Sequence, residues 1–234
     1  MKEKDSKNKE LLKNTFIIFI GKFCTQFISF LLVPLYTKYL ITSDYGYVDL
    51  VLTYISLILP IVILRSDSSI FRYLIDERDN KKEREKTVTS LFVLIIIQIF
   101  ALLFLSTITN MVFKIQYIVS IILSTIMYAF SSMSLQYIRG IGDNIGYSIA
   151  SIISGITTLI VNIVLIVLLK VGGVSILIST IIANIFCVLY IAFRTKIYRE
   201  IRKDSFSEKK LKKMLKYSIP MIPDRTFMVG NKCI

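Results

Sequence analysis

Six long runs of apolar residues follow one another along this chain of 234 residues. They cover residues 14–36, 47–64 with a tail to 75, 87–108, 111–135, 145–169 and 171–193. Each run has about the 20 residues that an α-helix needs to cross the hydrocarbon core of a bilayer. Hydrophobic residues make up 54% of the chain, more than the interior of a water-soluble protein of this length holds. The sequence therefore predicts an all-α, polytopic transmembrane helix bundle with six spanning helices and the lipid bilayer as its surroundings.

The lysines and arginines are divided unevenly between the loops. The segment before the first run and the loops after the second, fourth and sixth runs hold 22 of them, whereas the remaining loops hold three. Cytoplasmic loops of membrane proteins carry an excess of this kind. We therefore predict a multi-pass protein of the cytoplasmic membrane with its N-terminus in the cytoplasm. Topology also accounts for the net charge of +13, so that no nucleic acid partner is expected.

This pattern divides the chain into consecutive segments. Residues 1–13 are predicted to be a basic cytoplasmic N-terminus, residues 14–193 the six-helix transmembrane domain and residues 194–216 a basic cytoplasmic linker. The second run is expected to form one long helix that continues through its tail. For the stretch 196–216 two interpretations are open: a solvated linker, or an amphipathic segment on the anionic leaflet whose apolar side chains dip toward lipid.

Several kinds of chemistry are excluded by composition. The chain has no histidine, and therefore no Ser-His-Asp or Cys-His arrangement and no imidazole metal site. It has no G-x-x-x-x-G-K-[ST] loop for nucleotide binding. Its three cysteines are widely spaced and act as small apolar residues. A membrane enzyme would need a large extramembrane loop with carboxylates or histidines. We therefore expect neither an enzyme nor a cofactor nor a metal site.

Charged residues within or beside the spans are candidate functional residues, because insertion of each into a membrane costs about 2.5–3.5 kcal/mol. Lys22 lies inside the first run and either snorkels to the interface or lines a cavity. Arg65 and Arg72, near the end of the second run, either belong to an interfacial belt or give an internal cavity a cationic lining. Asp67 is a possible charge partner for a neighbouring arginine, and Arg139 is a cytoplasmic gate or anchor at the end of the fourth run.

Four short motifs occur in a specific order and at specific topological places. They are PLYTKYL at 34–40 followed by DYGY at 44–47, SIFRY at 69–73, RGIGD at 139–143 followed by YS at 147–148, and YSIPMIP at 217–223. Together they resemble the bacterial polysaccharide and oligosaccharide (O-antigen-type) flippases, which belong to the same superfamily as the multidrug and toxin extruders. The resemblance extends from about residue 14 to residue 223.

This resemblance implies a transporter that moves an undecaprenyl-pyrophosphate-linked oligosaccharide across the cytoplasmic membrane for surface polysaccharide synthesis. Family members have about twelve to fourteen spans in two halves that rock against each other. The chain resembles the first half of such a two-lobed exporter, and residues 217–234 are interpreted as the truncated start of a seventh helix. The expected partners are a separate second half or a second copy of the chain. For a pyrophosphate cargo, Lys22, Arg65 and Arg72 are the predicted cationic lining.

Two other functions remain open. A drug or cation antiporter of the same superfamily would need acidic residues at mid-membrane, and Asp67, alone and near one end of its span, argues against this function. A membrane fragment without transport activity, or one that serves only in assembly, would share every sequence feature described above.

Overall fold

The computed structural model describes residues 2–222, which form helices and connecting turns. The α-helices of this part of the chain are α1 Lys2–Tyr39, α2 Thr42–Val62, α3 Ser66–Asp76, α4 Lys81–Phe113, α5 Ile118–Gly140, α6 Asn144–Asn162, α7 Val174–Thr195 and α8 Glu208–Ser218. A π-helical segment, Ile163–Leu168, extends α6, and short 3-10 turns lie at Ile197–Arg199, Lys203–Ser205 and Ile219–Met221. Six of these helices are long and apolar enough to cross a membrane. The predicted all-α transmembrane bundle is therefore confirmed.

The second apolar run does not form one long helix, and that expectation is wrong. Helix α2 ends at Val62, and α3 begins at Ser66. Between them Leu64 and Arg65 have φ values of 50° and 53°, in the left-handed region that side chains other than glycine rarely adopt. Two successive left-handed residues interrupt the helix. Consequently α3 packs on α5 as a separate element.

One helix boundary also differs from its prediction. Helix α4 continues to Phe113, and the turn that follows has left-handed residues at Lys114 and Tyr117. The side chain of Asn110 stabilises this turn by accepting a hydrogen bond from the backbone N–H of Ile115, 3.1 Å away. The fourth span therefore begins at Ile118, later than residue 111.

Small side chains bring α1 and α6 close together. A Cβ atom placed on Gly21 would lie 2.9 Å from the Cα of Ser148. The Ser148 hydroxyl donates a hydrogen bond to the Ile17 carbonyl, 2.7 Å away. Helices α6 and α7 are joined by the buried Asn162, whose amide donates to the Ser179 hydroxyl at 2.7 Å. Close approach at small residues and hydrogen bonds between helices are typical of membrane bundles, where no hydrophobic effect drives helices together.

The connecting segments gather at two opposite ends of the bundle. At one end the Tyr47 hydroxyl donates to the Gln116 carbonyl at 3.0 Å. At the other end the Arg78 guanidinium donates to the Gly140 carbonyl at 2.7 Å, and Arg194 pairs with Asp143. This second end, called the basic end below, contains the loops that carry most of the lysines and arginines. That the basic end faces the cytoplasm stays a prediction.

The segment after α7 folds against the protein. Met214 of α8 is completely buried beside α3, α4 and α5, and the other apolar residues of this segment pack around it: Ile197, Ile201, Leu211 and Leu215. Of the two interpretations of the stretch 196–216, the one in which these side chains dip toward lipid is therefore wrong, because they pack on the bundle. The division into segments stays a prediction. Of the stretch interpreted as a truncated seventh helix, residues 223–234 lie outside the described residues.

Candidate binding cleft

A cleft of about 490 Å³ lies between α1, α3, α5, α6 and α7. Three charged residues line it, namely Lys22 of α1, Asp67 of α3 and Arg139 of α5. Its uncharged polar lining consists of Thr25, Ser29, Tyr128, Ser131, Ser132, Gln136, Tyr147, Ser151, Ser154, Thr158, Thr180 and Asn184. So polar a surface inside a transmembrane bundle suits a hydrated ligand and does not suit lipid chains.

Several polar side chains of the lining are bonded to the backbone of their own helices. Ser151 donates to the Tyr147 carbonyl and Thr158 to the Ser154 carbonyl, both at 2.9 Å. The Asn184 amide nitrogen donates to the Thr180 carbonyl at 2.8 Å. Once the single donor of each hydroxyl is used in this way, its oxygen can still accept hydrogen bonds, as can the amide oxygen of Asn184. These side chains therefore present acceptors to the cleft, which suit a ligand rich in hydroxyl donors.

The positively charged residues of the cleft differ from its acidic residue in whether an oppositely charged side chain lies beside them. Arg139 lies over the ring of Phe71, with 4.5 Å between the guanidinium carbon and the ring centroid. Among the described residues, Lys22 and Arg139 form no ion pair with a carboxylate. Asp67 is 1% exposed, and its Oδ2 lies 3.8 Å from Nη1 of Arg65. The acid is thus compensated by an arginine behind it, while the two cations remain available to a ligand.

The structure brings together some of the predicted site residues and separates others. Lys22, Asp67 and Arg139 line the cleft. Arg65 does not line it; its side chain is 11% exposed and lies beside Asp67. Arg72 lies on the surface, 3.6 Å from Asp76, with both side chains more than half exposed. The predicted roles of these residues in substrate binding stay predictions.

Sequence reasoning missed most of the uncharged lining. On α6 the residues Ser151, Ser154 and Thr158 have the spacing of one helix face, and Lys22, Thr25 and Ser29 repeat it on α1. This repeat of polar residues at positions i, i+3 and i+7 within apolar runs was the available signal. Each residue alone is too common in transmembrane helices to draw attention.

An ion pair connects α6 and α7 at the basic end. Arg194 places its Nε and Nη2 at 2.5 and 3.2 Å from the two carboxylate oxygens of Asp143. Asp143 also caps α6, accepting from the Gly146 N–H at 2.8 Å. Burial raises the pKa of the Asp143 carboxyl, but the Arg194 guanidinium and the Gly146 N–H outweigh this effect and hold the pKa below its usual range. Asp143 therefore stays charged at neutral pH and keeps the pair closed.

A candidate metal site is not found in the described part of the chain, where no three acidic or cysteine side chains come together.

Comparison with known proteins gives a family match and several similar folds. The family model described as "Polysaccharide biosynthesis protein" matches residues 11–229. No curated protein matches the sequence significantly.

Solved structures share the fold. MATE in complex with Br-NRF has a TM-score of 0.77 at 15% identity, over 94% of this chain and 56% of that chain. An outward-facing multidrug resistance MATE family transporter of the MOP superfamily has a TM-score of 0.69 at 15% identity, over 92% and 52%. A MOP superfamily transporter from Pyrococcus furiosus, described by a reverse polarity of its binding pocket that suggests a different function, has 0.70 at 14% identity, also over 92% and 52%. Identities this low show the fold alone. The chain spans about half the length of these transporters.

Proposed function

Because this chain belongs to the polysaccharide biosynthesis protein family of the MOP superfamily of membrane transporters, we propose that it carries a lipid-linked oligosaccharide across the cytoplasmic membrane for surface polysaccharide synthesis. The observation that supports this proposal is the charge arrangement of the cleft. Lys22 and Arg139 line it without a carboxylate partner among the described residues, whereas the acid Asp67 has Arg65 beside it.

A pyrophosphate linkage matches these two cations. The linkage must lose much of its hydration to cross a hydrocarbon layer of about 30 Å, and cationic side chains can replace that water. A guanidinium binds two phosphate oxygens at once, and an ammonium group acts as a compact point charge. Arg139 and Lys22 are therefore the residues that we assign to the diphosphate.

The oligosaccharide matches the acceptor-rich wall. Sugar hydroxyls donate hydrogen bonds, and the oxygens of Ser151, Thr158 and Asn184 remain able to accept them. Tyr128 also lines the cleft, where its aromatic side chain can contact a sugar. Many weak acceptors tolerate different glycans, as a carrier of a large and varied cargo requires.

Transport needs a second lobe. The chain spans about half of the transporters that share its fold, and alternating access requires two lobes that move against each other around a central site. We assign the six spanning helices to one lobe, with the basic end toward the cytoplasm. Its partner is a matching six-helix segment or, alternatively, a second copy of this chain.

Binding in nanodiscs tests the cleft. We expect a fluorescent polyprenyl-pyrophosphate oligosaccharide to bind the wild type, and the double variant K22Q/R139Q to bind it at least tenfold more weakly, since a hydrogen bond to a charged group contributes about 1.5–3 kcal/mol. K82Q is the matched control because Lys82 is an exposed base outside the cleft. Equal affinity of wild type and K22Q/R139Q would remove the cleft from substrate binding.

A drug or cation antiporter is the second candidate, supported by the buried acid in the cleft lining. In that case Asp67 would pair with a cationic ligand in place of Arg65. The same nanodiscs with a lipophilic cation such as rhodamine 6G distinguish the two. Tight cation binding that D67N abolishes, together with no binding of the pyrophosphate lipid, would establish the antiporter.

A further inference from the structure

Helix α8 (Glu208–Ser218) lies at the level where the membrane begins. Met214 is fully buried, in the same cluster as Leu91 of α4 and Tyr137 of α5. Leu91 is about one helical turn inside the apolar run 87–108, which has the length of a membrane span. The depth of α8 is therefore set by its contact with the first apolar turns of α4.

The orientation of α8 is fixed by polar contacts with α3 and α4. Lys210 pairs with Glu77 and places its Nζ 2.8 Å from Oε2 of Glu83. Ser90 donates its hydroxyl to the Ser207 carbonyl at 3.4 Å and accepts from the Ser207 N–H at 3.2 Å. These contacts hold one face of α8 against the bundle, so the opposite face cannot rotate inward.

That outer face is strongly basic. Lys209, Lys212, Lys213 and Lys216 are exposed, and their spacing places them on one side of the helix. Lys212 pairs with Glu208 at 2.7 Å, whereas the other three lysines form no ion pair within the described part of the chain. Three positive charges on a rigid helix are thus left without a protein partner at membrane depth.

Exposed aromatic side chains flank this lysine face. Phe206, just before α8, is 44% exposed, and Tyr217, in its last turn, is 40% exposed. Tyrosine, which combines an apolar ring with a polar hydroxyl, is typical of the level of lipid headgroups. The combination of lysines and aromatic rings is found where a protein surface meets a membrane interface.

We propose that the lysine face of α8 is a docking surface for the headgroups of anionic phospholipids. The phosphate groups of an adjacent leaflet complement Lys209, Lys213 and Lys216 in charge, and Phe206 and Tyr217 reach the glycerol level of the same lipids. Because the opposite face is held by Lys210 and Met214, this surface is preformed and does not require the helix to fold on the membrane. It is distinct from the transport cleft, which its residues do not line.

Lipid retention tests this surface. The full chain is reconstituted in nanodiscs of equal parts phosphatidylglycerol and phosphatidylcholine. Native mass spectrometry then releases the protein from the nanodisc and counts the lipids that stay bound to it. We expect the wild type to retain phosphatidylglycerol preferentially. K213Q/K216Q should lose most of that preference, since one lysine near an anionic surface contributes about a fivefold effect on affinity. Raising the salt should reduce the preference of the wild type, because exposed charges are screened.

The control removes two charges elsewhere on the basic end. K81Q/K82Q alters two exposed lysines at the start of α4, on the same end but outside the lysine face of α8. It should keep the phosphatidylglycerol preference of the wild type. Equal losses in both double variants would show a general effect of net charge, and no loss in K213Q/K216Q would remove α8 from lipid binding. Either result overturns the proposal. All four positions are exposed, so unchanged thermal unfolding is expected to accompany the lipid measurement.

Discussion

Among single residues, we expect Asp67 to have the greatest influence on whether the cleft prefers anionic or cationic ligands. It is the acid within the described lining, and it is almost fully buried. A buried carboxylate is costly unless it is paired, and Arg65, in a left-handed conformation at the start of α3, places its guanidinium 3.8 Å away. The unusual backbone of Arg65 thus has a consequence for the site, because it directs a compensating charge toward the acid from behind.

The Arg65–Asp67 pair should set the preference of the cleft for anions. R65Q removes the positive charge that Arg65 places beside the Asp67 carboxylate, so we expect weaker binding of the pyrophosphate lipid and stronger binding of a lipophilic cation. D67N removes the negative charge and should strengthen anion binding severalfold. The double variant R65Q/D67N should return close to the wild type, because both charges of one pair are gone. Binding in nanodiscs checks all three variants, and R65K serves as the control that keeps the charge. If R65Q and D67N each weakened binding of the pyrophosphate lipid, and the double variant weakened it by the sum of the two effects, the pair would have only a structural role.

At the scale of helices, close packing of α1 on α6 forms one wall of the cleft. Gly21 meets the backbone of Ser148, and Gly155 meets the side chains of Ile28 and Thr25. The same two helices carry the polar repeats that line the cleft. Their separation therefore sets both the stability of the bundle and the width of the site.

The two glycines should respond differently to alanine. In G21A the new Cβ would lie 2.9 Å from the Cα of Ser148, which is backbone and cannot move alone, so we expect a loss of about 1–3 kcal/mol. In G155A the nearest atom is the terminal methyl of Ile28, which can rotate away. The gain in helix propensity then makes G155A neutral or slightly stabilising. Thermal unfolding in detergent compares the two, and equal melting temperatures for G21A and G155A would contradict this packing.

Hydropathy and charge predicted the elements that depend on local composition. Placing charge in lipid is costly, so the positions of apolar and charged residues in the sequence predict the six spans and the alternation of basic loops. The break at Leu64 could not be predicted, because leucine and arginine do not favour the left-handed region and tertiary packing imposes it. The apolar spacing of α8 was visible, yet the same spacing serves a lipid surface or a protein surface. Only the buried position of Met214 distinguishes them.

The site was predictable to a similar extent. The cost of inserting a charged side chain into a membrane predicted three functional residues that line the cleft, namely Lys22, Asp67 and Arg139. Arg72 shares that chemistry but lies on the surface beside Asp76. Its direction depends on how α3 is rotated after the break, and this rotation is not encoded in local periodicity.

At the scale of the whole molecule, the cleft belongs to one lobe. Its lining comes from five of the helices described here, and the transporters of similar fold are about twice as long as this chain. A single six-helix lobe has no opposing surface against which to close. Under the proposed transport function, exposure of the site alternately to the two sides of the membrane would therefore depend on a second lobe that covers it.

A strain lacking its own polysaccharide flippase tests this dependence. We expect residues 1–234 alone to reach the membrane without restoring surface polysaccharide, because one lobe cannot alternate the access of its cleft. Coexpression with a matching six-helix second half should restore it, and K22Q/R139Q in the first half should cancel that rescue without lowering the amount of protein in the membrane. Rescue by residues 1–234 alone would contradict this expectation, and cross-linking would then show whether two copies form the transporter. The cleft lies between helices of this chain, so under the proposed function a partner would only have to seal and release it. Loss of the partner should then abolish transport, while binding of the pyrophosphate lipid to the isolated chain persists.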